Sequence, residues 1–490
     1  MRIIEILRSI PTDLPRWGLL ALLVFAPWDY GSTRPWGKFL LTVSLFALLG
    51  LFLLSLFTKP RLPKLNSVSA ILTGLLLLQG WIMVLNPKQR FEAASFAFVN
   101  LTGAISWLPG VVDRATAESQ LLLVNGLVGA FWIASDLAAS ARWRTRLWWI
   151  MSLTGISLVV LGLVQRFTGA RAIFWDPVAD TGTTFFATYR YHANAGAYLN
   201  LVLPLIAAQA VLAFLRKYSH TAMTFWSIAT LMTAACAFIN VSKAAMVIAA
   251  FILLAQAYQQ LNQFPIEFKN WSKTQLTAIC VVFVGLLSWL IWAFGFGDSL
   301  ARWGDLISSG NGNSTSRWLV DEVILRYALP VSGWWGFGPG TFQIAFPFFT
   351  QSLGNSIAGI WQDAHNDYLQ GLMEWGYLGG ALWAALLLGG LGMAIDRHRR
   401  QQRSWDTETR LLSSAGILSL GGLMLHALVD FPLQIPSLQL YAAVLLGLLW
   451  NLPDARRQRK RISKTQASER TLRKQAEPQA AGERVFNQGG

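Results

Sequence analysis

The segment Asp363-Ala364-His365-Asn366-Asp367, with nine residues between Asn366 and Gly376-Tyr377-Leu378-Gly379, offers the clearest candidate for chemistry in this chain. Imidazole is the side chain whose ordinary titration range lies nearest neutral pH, so it suits proton transfer with a reacting hydroxyl. Three cations stand at comparable places, where a polar stretch meets an apolar run. They are Arg190 ahead of Asn194 and Gly196, Lys243 after Asn240-Val241-Ser242, and Arg317 after Asn313-Ser314-Thr315-Ser316. Guanidinium grips phosphate oxygens in pairs and lysine acts as a point charge, so a convergent set would bind a lipid phosphate or pyrophosphate. His192, Asn194, Asn366 and Asp363 are neighbouring groups able to support such a site.

Each of these residues has a plainer reading. A lone Arg or Lys at the end of an apolar helix commonly snorkels to the interface, and Lys243 in a tight turn fits that description. His192 stands beside Tyr189 and Tyr191, an ordinary interfacial grouping. His426 and Asp430, four residues apart ahead of Pro432 and Pro436, read as a structural pair at a helix end, with a proton relay as the alternative. Asp363, His365 and Asp367 do not make a metal site, because residues two apart on a helix face different ways and no distant fourth ligand is evident. No metal or other cofactor is expected. No phosphate-cradling Gly-Lys-Ser loop and no serine elbow is present.

The elements that must position these residues follow from composition. Of 490 residues, 54% are hydrophobic and 13% charged, well below the roughly 25% charged of soluble domains. Apolar runs of about 17–25 residues, the length that crosses the hydrocarbon core as helix, recur along the chain. Twelve spans are expected, centred near residues 22, 47, 76, 128, 157, 205, 231, 250, 284, 383, 420 and 444. The fold class is therefore an all-α polytopic membrane protein.

The net charge of +15 gathers in alternate loops, at Lys59, Arg61 and Lys64, at Arg142 to Arg146, at Arg216 and Lys217, and at Arg397 to Arg403. That alternation is the positive-inside pattern, which puts both termini in the cytoplasm and argues against nucleic acid as the partner. The first span, flanked by Arg16, reads as an uncleaved anchor, and Cys236 and Cys280 as small hydrophobes inside spans. Three extracytoplasmic loops are long, at about 86–118, 167–193 and 295–368, and the aromatic-rich third is expected to fold over the bundle. Residues 1–452 form the transmembrane domain. The tail 453–490, basic from Arg456, reads as a disordered topology anchor.

With those elements in place, the chain resembles the O-antigen ligase and Wzy-type polymerase superfamily. The resemblance rests on His365-Asn366, nine residues, then Gly376-Tyr377-Leu378-Gly379. Arg190 with Asn194 and Gly196 supports it, as do Arg317 ahead of Gly336-Phe337-Gly338-Pro339-Gly340 and the closing His426-Ala427-Leu428-Val429-Asp430-Phe431-Pro432. It covers roughly residues 120–450. One departure is Ser242-Lys243-Ala244, where many relatives carry Ser-Arg-Gly; lysine keeps the charge and loses the bidentate fork.

The resemblance implies an inverting, metal-independent glycosyltransferase in the bacterial inner membrane. Its donor would be a glycan on undecaprenyl pyrophosphate, its acceptor a glycan or lipid A-core hydroxyl, and its site would face the periplasm. His365 would be the catalytic imidazole, with Arg190, Arg317 and Lys243 holding the pyrophosphate. Trp303, Trp318, Trp334, Trp335 and Trp361 could stack on sugars or anchor at the interface. The alternatives are a polysaccharide polymerase using the same site and a carrier of small, bicarbonate-like anions.

Overall fold

The computed structural model describes residues 13–58, 62–95, 97–176, 185–264, 281–293, 312–350 and 361–454, with scattered positions from 272 to 278. Lys59, Arg61, Asp180, Cys280, Trp303 and the tail from Arg456 lie outside the described residues.

Helices dominate. In order they are α1 (Leu14–Trp28), α2 (Pro35–Thr58), α3 (Ser67–Leu85), α4 (Arg114–Leu137), α5 (Ala141–Phe167), α6 (His192–Leu215), α7 (His220–Ile239), α8 (Lys243–Gln263) and α9 (Val281–Ala293). Beyond them come α10 (Gly312–Val323), α11 (Asp367–Gln401), α12 (Thr407–His426) and α13 (Pro436–Trp450). Eight of these, α2 to α8 and α11, are long and apolar enough to cross a membrane. The helices α1, α9 and α13 are apolar but shorter, and α12 has 20 residues.

Helix starts follow local chemistry. The side chains of Asn66, Asp113, Ser219, Ser242, Asn366 and Asp406 each accept a backbone N–H of the first turn, satisfying donors that the helix itself leaves open.

The bundle is organised around α6, whose residues from Ala193 to Ile206 are all buried. It packs on α7, α8 and α12. A buried chain of hydroxyls fastens it further: Tyr198 donates to Tyr441 of α13 at 3.2 Å, and Tyr441 donates to the Leu23 carbonyl of α1 at 2.9 Å. The glycine at 447 lets α13 lie against the α4 backbone, and Ser135 of α4 donates to the Gly447 carbonyl at 3.1 Å. Small residues at helix contacts are the usual means of close approach in membranes.

The segment 86–118 contains more regular structure than its sequence suggested. A short hairpin pairs β1 (Gln89–Glu92) with β2 (Ala97–Asn100), and α4 begins at Arg114. Beyond α10 the chain continues helically to Ser332, with a wider turn at Ile324–Ala328. Val320, Val323, Ile324, Ala328, Phe342 and Met373 form a second, smaller hydrophobic cluster. That cluster seats α10 on the beginning of α11.

The helix α11 is broken at Gly376 (φ 68°, ψ −176°), and the chain from Gly333 to Gly338 is laid into the break. Phe337 N–H donates to the Met373 carbonyl at 3.0 Å and Gly338 N–H to the Glu374 carbonyl at 2.9 Å. On the far side of the break, Tyr377 and Leu378 donate to the carbonyls of Gly333 and Trp334, each at 3.1 Å. Four backbone groups of α11 at the break thus find partners in this segment, as a low-dielectric setting favours. A side chain at position 376 would collide with the Trp334 backbone.

Gly376→Ala should therefore destabilise the fold by at least the roughly 1–3 kcal/mol of a strained backbone conformation. Thermal unfolding in detergent would show a clear drop, while Gly392→Ala, where an added methyl meets open space, should leave the midpoint unchanged.

Candidate functional site

The break in α11 fixes the start of that helix, and the residues just before it carry the imidazole. His365 adopts φ +57°, a conformation that L-residues seldom take. Several contacts hold it. Buried Gln370 accepts the Ala364 N–H through Oε1 at 2.9 Å, and its Nε2 donates to Asp363 at 3.3 Å and to Glu374 at 3.2 Å. Asn366 caps α11 and also hydrogen-bonds Asp321 of α10.

The imidazole itself pairs with Asp430, which lies in the turn between α12 and α13. His365 Nδ1 stands 3.1 Å from Asp430 Oδ1. The Asp430 side chain is only 4% exposed and that of His365 is 21% exposed, so the carboxylate is sealed and the ring still reaches out. Burial works against ionisation of Asp430, but the hydrogen bond from His365 and the positive charges of His365 and Arg317 outweigh it and hold the carboxyl below its ordinary value. An ionised carboxylate can only accept. Neutral His365 must then carry its proton on Nδ1, which leaves the Nε2 lone pair free.

Arg317 joins the same cluster from α10. Its Nη1 donates to the Val429 carbonyl and its Nη2 to the Tyr191 hydroxyl, each at 3.0 Å. Tyr191 in turn donates to Asp430 Oδ2 at 3.5 Å. Burial first, then the charge of Asp430, pushes the Tyr191 hydroxyl up to about 12 despite the opposing Arg317, so it keeps its proton. Tyr191 stacks on Phe431 at 5.4 Å with 4° between the planes. Phe431 and Trp361 present edge-on contacts to the His365 ring at 4.8 and 5.6 Å. Aromatic walls and one sealed carboxylate leave the imidazole little freedom to turn.

Two further acids stand close by. Burial raises Asp363 to about 6, opposed by the Gln370 hydrogen bond and by the charge of His365. Asp321 is also raised, by burial above all, against the pull of Asn366, Arg317 and His365. Both shifts move these groups toward the neutral form and reduce the negative charge around Arg317.

The other expected residues take different positions. His192 opens α6 and packs its ring 4.7 Å from Tyr191. Its carbonyl accepts from Asn240 Nδ2 at 3.1 Å, which ties the turn before α8 to the start of α6. Lys243 is the first residue of α8, half-buried, with no hydrogen bond or ion pair to another described residue. Arg190 is exposed and likewise unpaired among the described residues. Asn194 is buried, and its carbonyl oxygen has no partner among the described residues. His365 and Arg317 are thus joined through Tyr191 and Asp430, whereas no contact links Arg190 or Lys243 directly to them.

Of the tryptophans, Trp361 touches the imidazole, while Trp318 and Trp334 are largely exposed. Among the described residues no group of three or more His, Cys, Asp or Glu side chains is placed to hold a metal ion.

Two members of the cluster, Asp430 and Tyr191, are not evident from sequence spacing alone. The spacing of His426 and Asp430 suggests a pair, yet His426 is fully buried and neither ring nitrogen has a hydrogen-bond partner among the described residues. Tyr191 reads in sequence only as an interfacial neighbour of His192. An acid directly ahead of Phe431-Pro432, at the turn that must face the His365 segment, was the available signal.

No protein-family model and no curated protein matches this chain.

A carboxyl whose folded value is raised favours the protonated folded state, so its cost builds as pH climbs from the ordinary carboxyl value and is complete above the folded value. Asp363→Asn should therefore raise the melting temperature above about pH 6 and leave it unchanged below about pH 4. Melting curves of the two proteins across that range provide the check.

Proposed function

We propose that this protein is an inverting, metal-independent glycosyltransferase that moves a glycan from undecaprenyl pyrophosphate to an acceptor hydroxyl, as an O-antigen or surface-polysaccharide ligase. In this reading twelve helices cross the bacterial inner membrane, both termini are cytoplasmic and the His365 end of the bundle faces the periplasm. The observation that carries the reading is a half-open imidazole, fixed by a sealed carboxylate, beside a guanidinium whose partners are neutral oxygens.

The chemistry follows from that arrangement. His365 Nε2 accepts the proton of the acceptor hydroxyl as its oxygen attacks the anomeric carbon. The bond from that carbon to the pyrophosphate oxygen breaks, and the configuration inverts. The departing pyrophosphate gains charge, which Arg317 is positioned to meet; Arg190 and Lys243 supply further positive charge on the same side. Such preorganised stabilisation of developing charge is often the largest catalytic contribution. Asp430 keeps the imidazole in the useful tautomer and steadies the imidazolium that forms. Trp361, packed against the His365 ring, is the tryptophan that would stack on a sugar of the bound glycan.

A carrier would need ionisable or broken helices near the bilayer midplane. Here the charged cluster sits at helix starts and turns, and the one described break, at Gly376, is filled by backbone.

His365→Ala should lower transfer of labelled lipid-linked glycan in proteoliposomes by about a hundred- to ten-thousandfold, the range for a general base. Asp430→Asn should lower kcat with little change in donor KM, because it disturbs the imidazole and leaves the pyrophosphate contacts. Undiminished transfer by His365→Ala would remove the mechanism. Passage of substrate across the bilayer without covalent transfer would replace the enzyme with a carrier.

A further inference from the structure

Where α1 and α5 begin, guanidiniums and indoles form a cluster that takes no part in the site described above. Arg146 of α5 lies over both Trp17 of α1 and Trp143 of α5, with its Cζ 4.5 Å from each ring centre. The two indoles meet edge to face at 5.4 Å, and Arg16 stands over Trp143 at 5.6 Å. Such contacts hold a guanidinium by its face and leave its N–H edges for other partners. At Arg146 those edges are uncommitted. Its Nη1 is buried without a hydrogen-bond partner among the described residues, and neither Arg146 nor Arg142 forms a hydrogen bond or ion pair with any of them.

The acids that reach this region are engaged elsewhere. Asp13 lies 2.8 Å and Asp136 3.8 Å from Arg16, and Asp136 also accepts the Lys64 N–H at 3.1 Å. Glu408 is taken by Arg216 at 3.2 Å and by Thr145. No acid stands in the first turn of α5. Arg142 and Arg146 are four residues apart on that helix, so their like charges repel. A free guanidinium escapes such repulsion by turning to water. Arg146, stacked on two indoles, does not, and the pair calls for an anion.

What lies beside the cations narrows the kind of anion. Arg142, Trp149, Leu153 and Val160 share one face of α5, and all three apolar members are exposed. From Trp149 to Val160 the strip runs roughly 17 Å at the helical rise, about half of the ~30 Å hydrocarbon core. Leu14 and Trp17 add exposed apolar surface from α1. A soluble phosphate gains nothing from such a strip. A lipid does, because one leaflet's depth of apolar side chains lies directly beneath two cations. We propose that Arg142 and Arg146 bind the phosphate of an anionic phospholipid whose acyl chains lie along this strip of α1 and α5. The site needs neither the donor nor the transfer reaction proposed above, and in the orientation given there it lies in the cytoplasmic leaflet, where juxtamembrane cations meet anionic headgroups.

The test uses the full chain in phosphatidylcholine nanodiscs with a trace of phosphatidylglycerol that carries a photoreactive diazirine on one acyl chain. Irradiation should place the label on α1 and α5 around Trp17, Trp149 and Leu153. Unlabelled phosphatidylglycerol should compete, while inorganic phosphate in the buffer should not. The same diazirine on phosphatidylcholine should label these positions far less. Arg142→Gln should lower the labelling by about tenfold, the scale of one lost charge-assisted hydrogen bond. That side chain is exposed and unpaired among the described residues, so its loss leaves the packing intact. Arg146→Gln should lower it at least as much. Arg403→Gln, which removes an equal charge from an exposed loop at the same end of the bundle, should leave it unchanged. Equal labelling by the phosphatidylcholine probe, displacement by inorganic phosphate, indifference to Arg142→Gln, or an equal loss in Arg403→Gln would each overturn the proposal.

Discussion

The hydrogen bond between His365 and Asp430 is the constraint on which the rest of this structure converges. It joins two segments 65 residues apart, one ahead of α11 and one between α12 and α13. A carboxylate buried to this degree is costly unless charge and hydrogen bonds compensate it. Here the compensation comes from the same groups that would do the chemistry. Removing the cation or the imidazole would leave the acid stranded, so stability and reactivity are coupled at one point.

The surrounding architecture reads as a means of holding that point still. Asp367, the residue that starts α11, accepts Leu433 N–H at 2.7 Å and Gln434 Nε2 at 2.9 Å. Its own N–H donates to the Ala427 carbonyl at 2.9 Å. The turn bearing Asp430 and the segment bearing His365 are thereby fastened on both sides of the imidazole. Glu374 accepts from the Gly340 and Phe342 amides, which links the strap in the broken helix to Gln370 and so to the His365 turn. A site formed by several chain segments gains rigidity from such cross-ties, and rigidity is what a positioned base requires.

Much of the helical framework was legible because apolar length is a strong signal. The runs at residues 35–57, 67–85 and 192–215 could scarcely be anything but helices. His365 was legible because its surroundings combine titratable, amide and glycine residues at an unusual spacing. Asp430 was not, since its partner lies far along the chain and its nearest histidine, His426, offered a false local pairing. Gly376 stood in the recognised motif, but only the strap from Gly333 to Gly338 reveals why a side chain is excluded there. The hairpin at Gln89–Asn100 was missed for an ordinary reason: four-residue strands carry too little alternation to register.

Asp430 fixes the tautomer of His365: whenever the ring is neutral, its one proton sits on Nδ1, against the carboxylate. The chain has five histidines, so nitrogen NMR of imidazole-labelled protein at neutral pH can address it, with the His365 signals identified by their absence in His365→Ala. In the neutral ring of His365 the signals should show a protonated Nδ1 and a lone-pair-bearing Nε2, an arrangement that weakens in Asp430→Asn. A His365 ring protonated on Nε2 with Nδ1 bare, or one unaffected by Asp430→Asn, would contradict it.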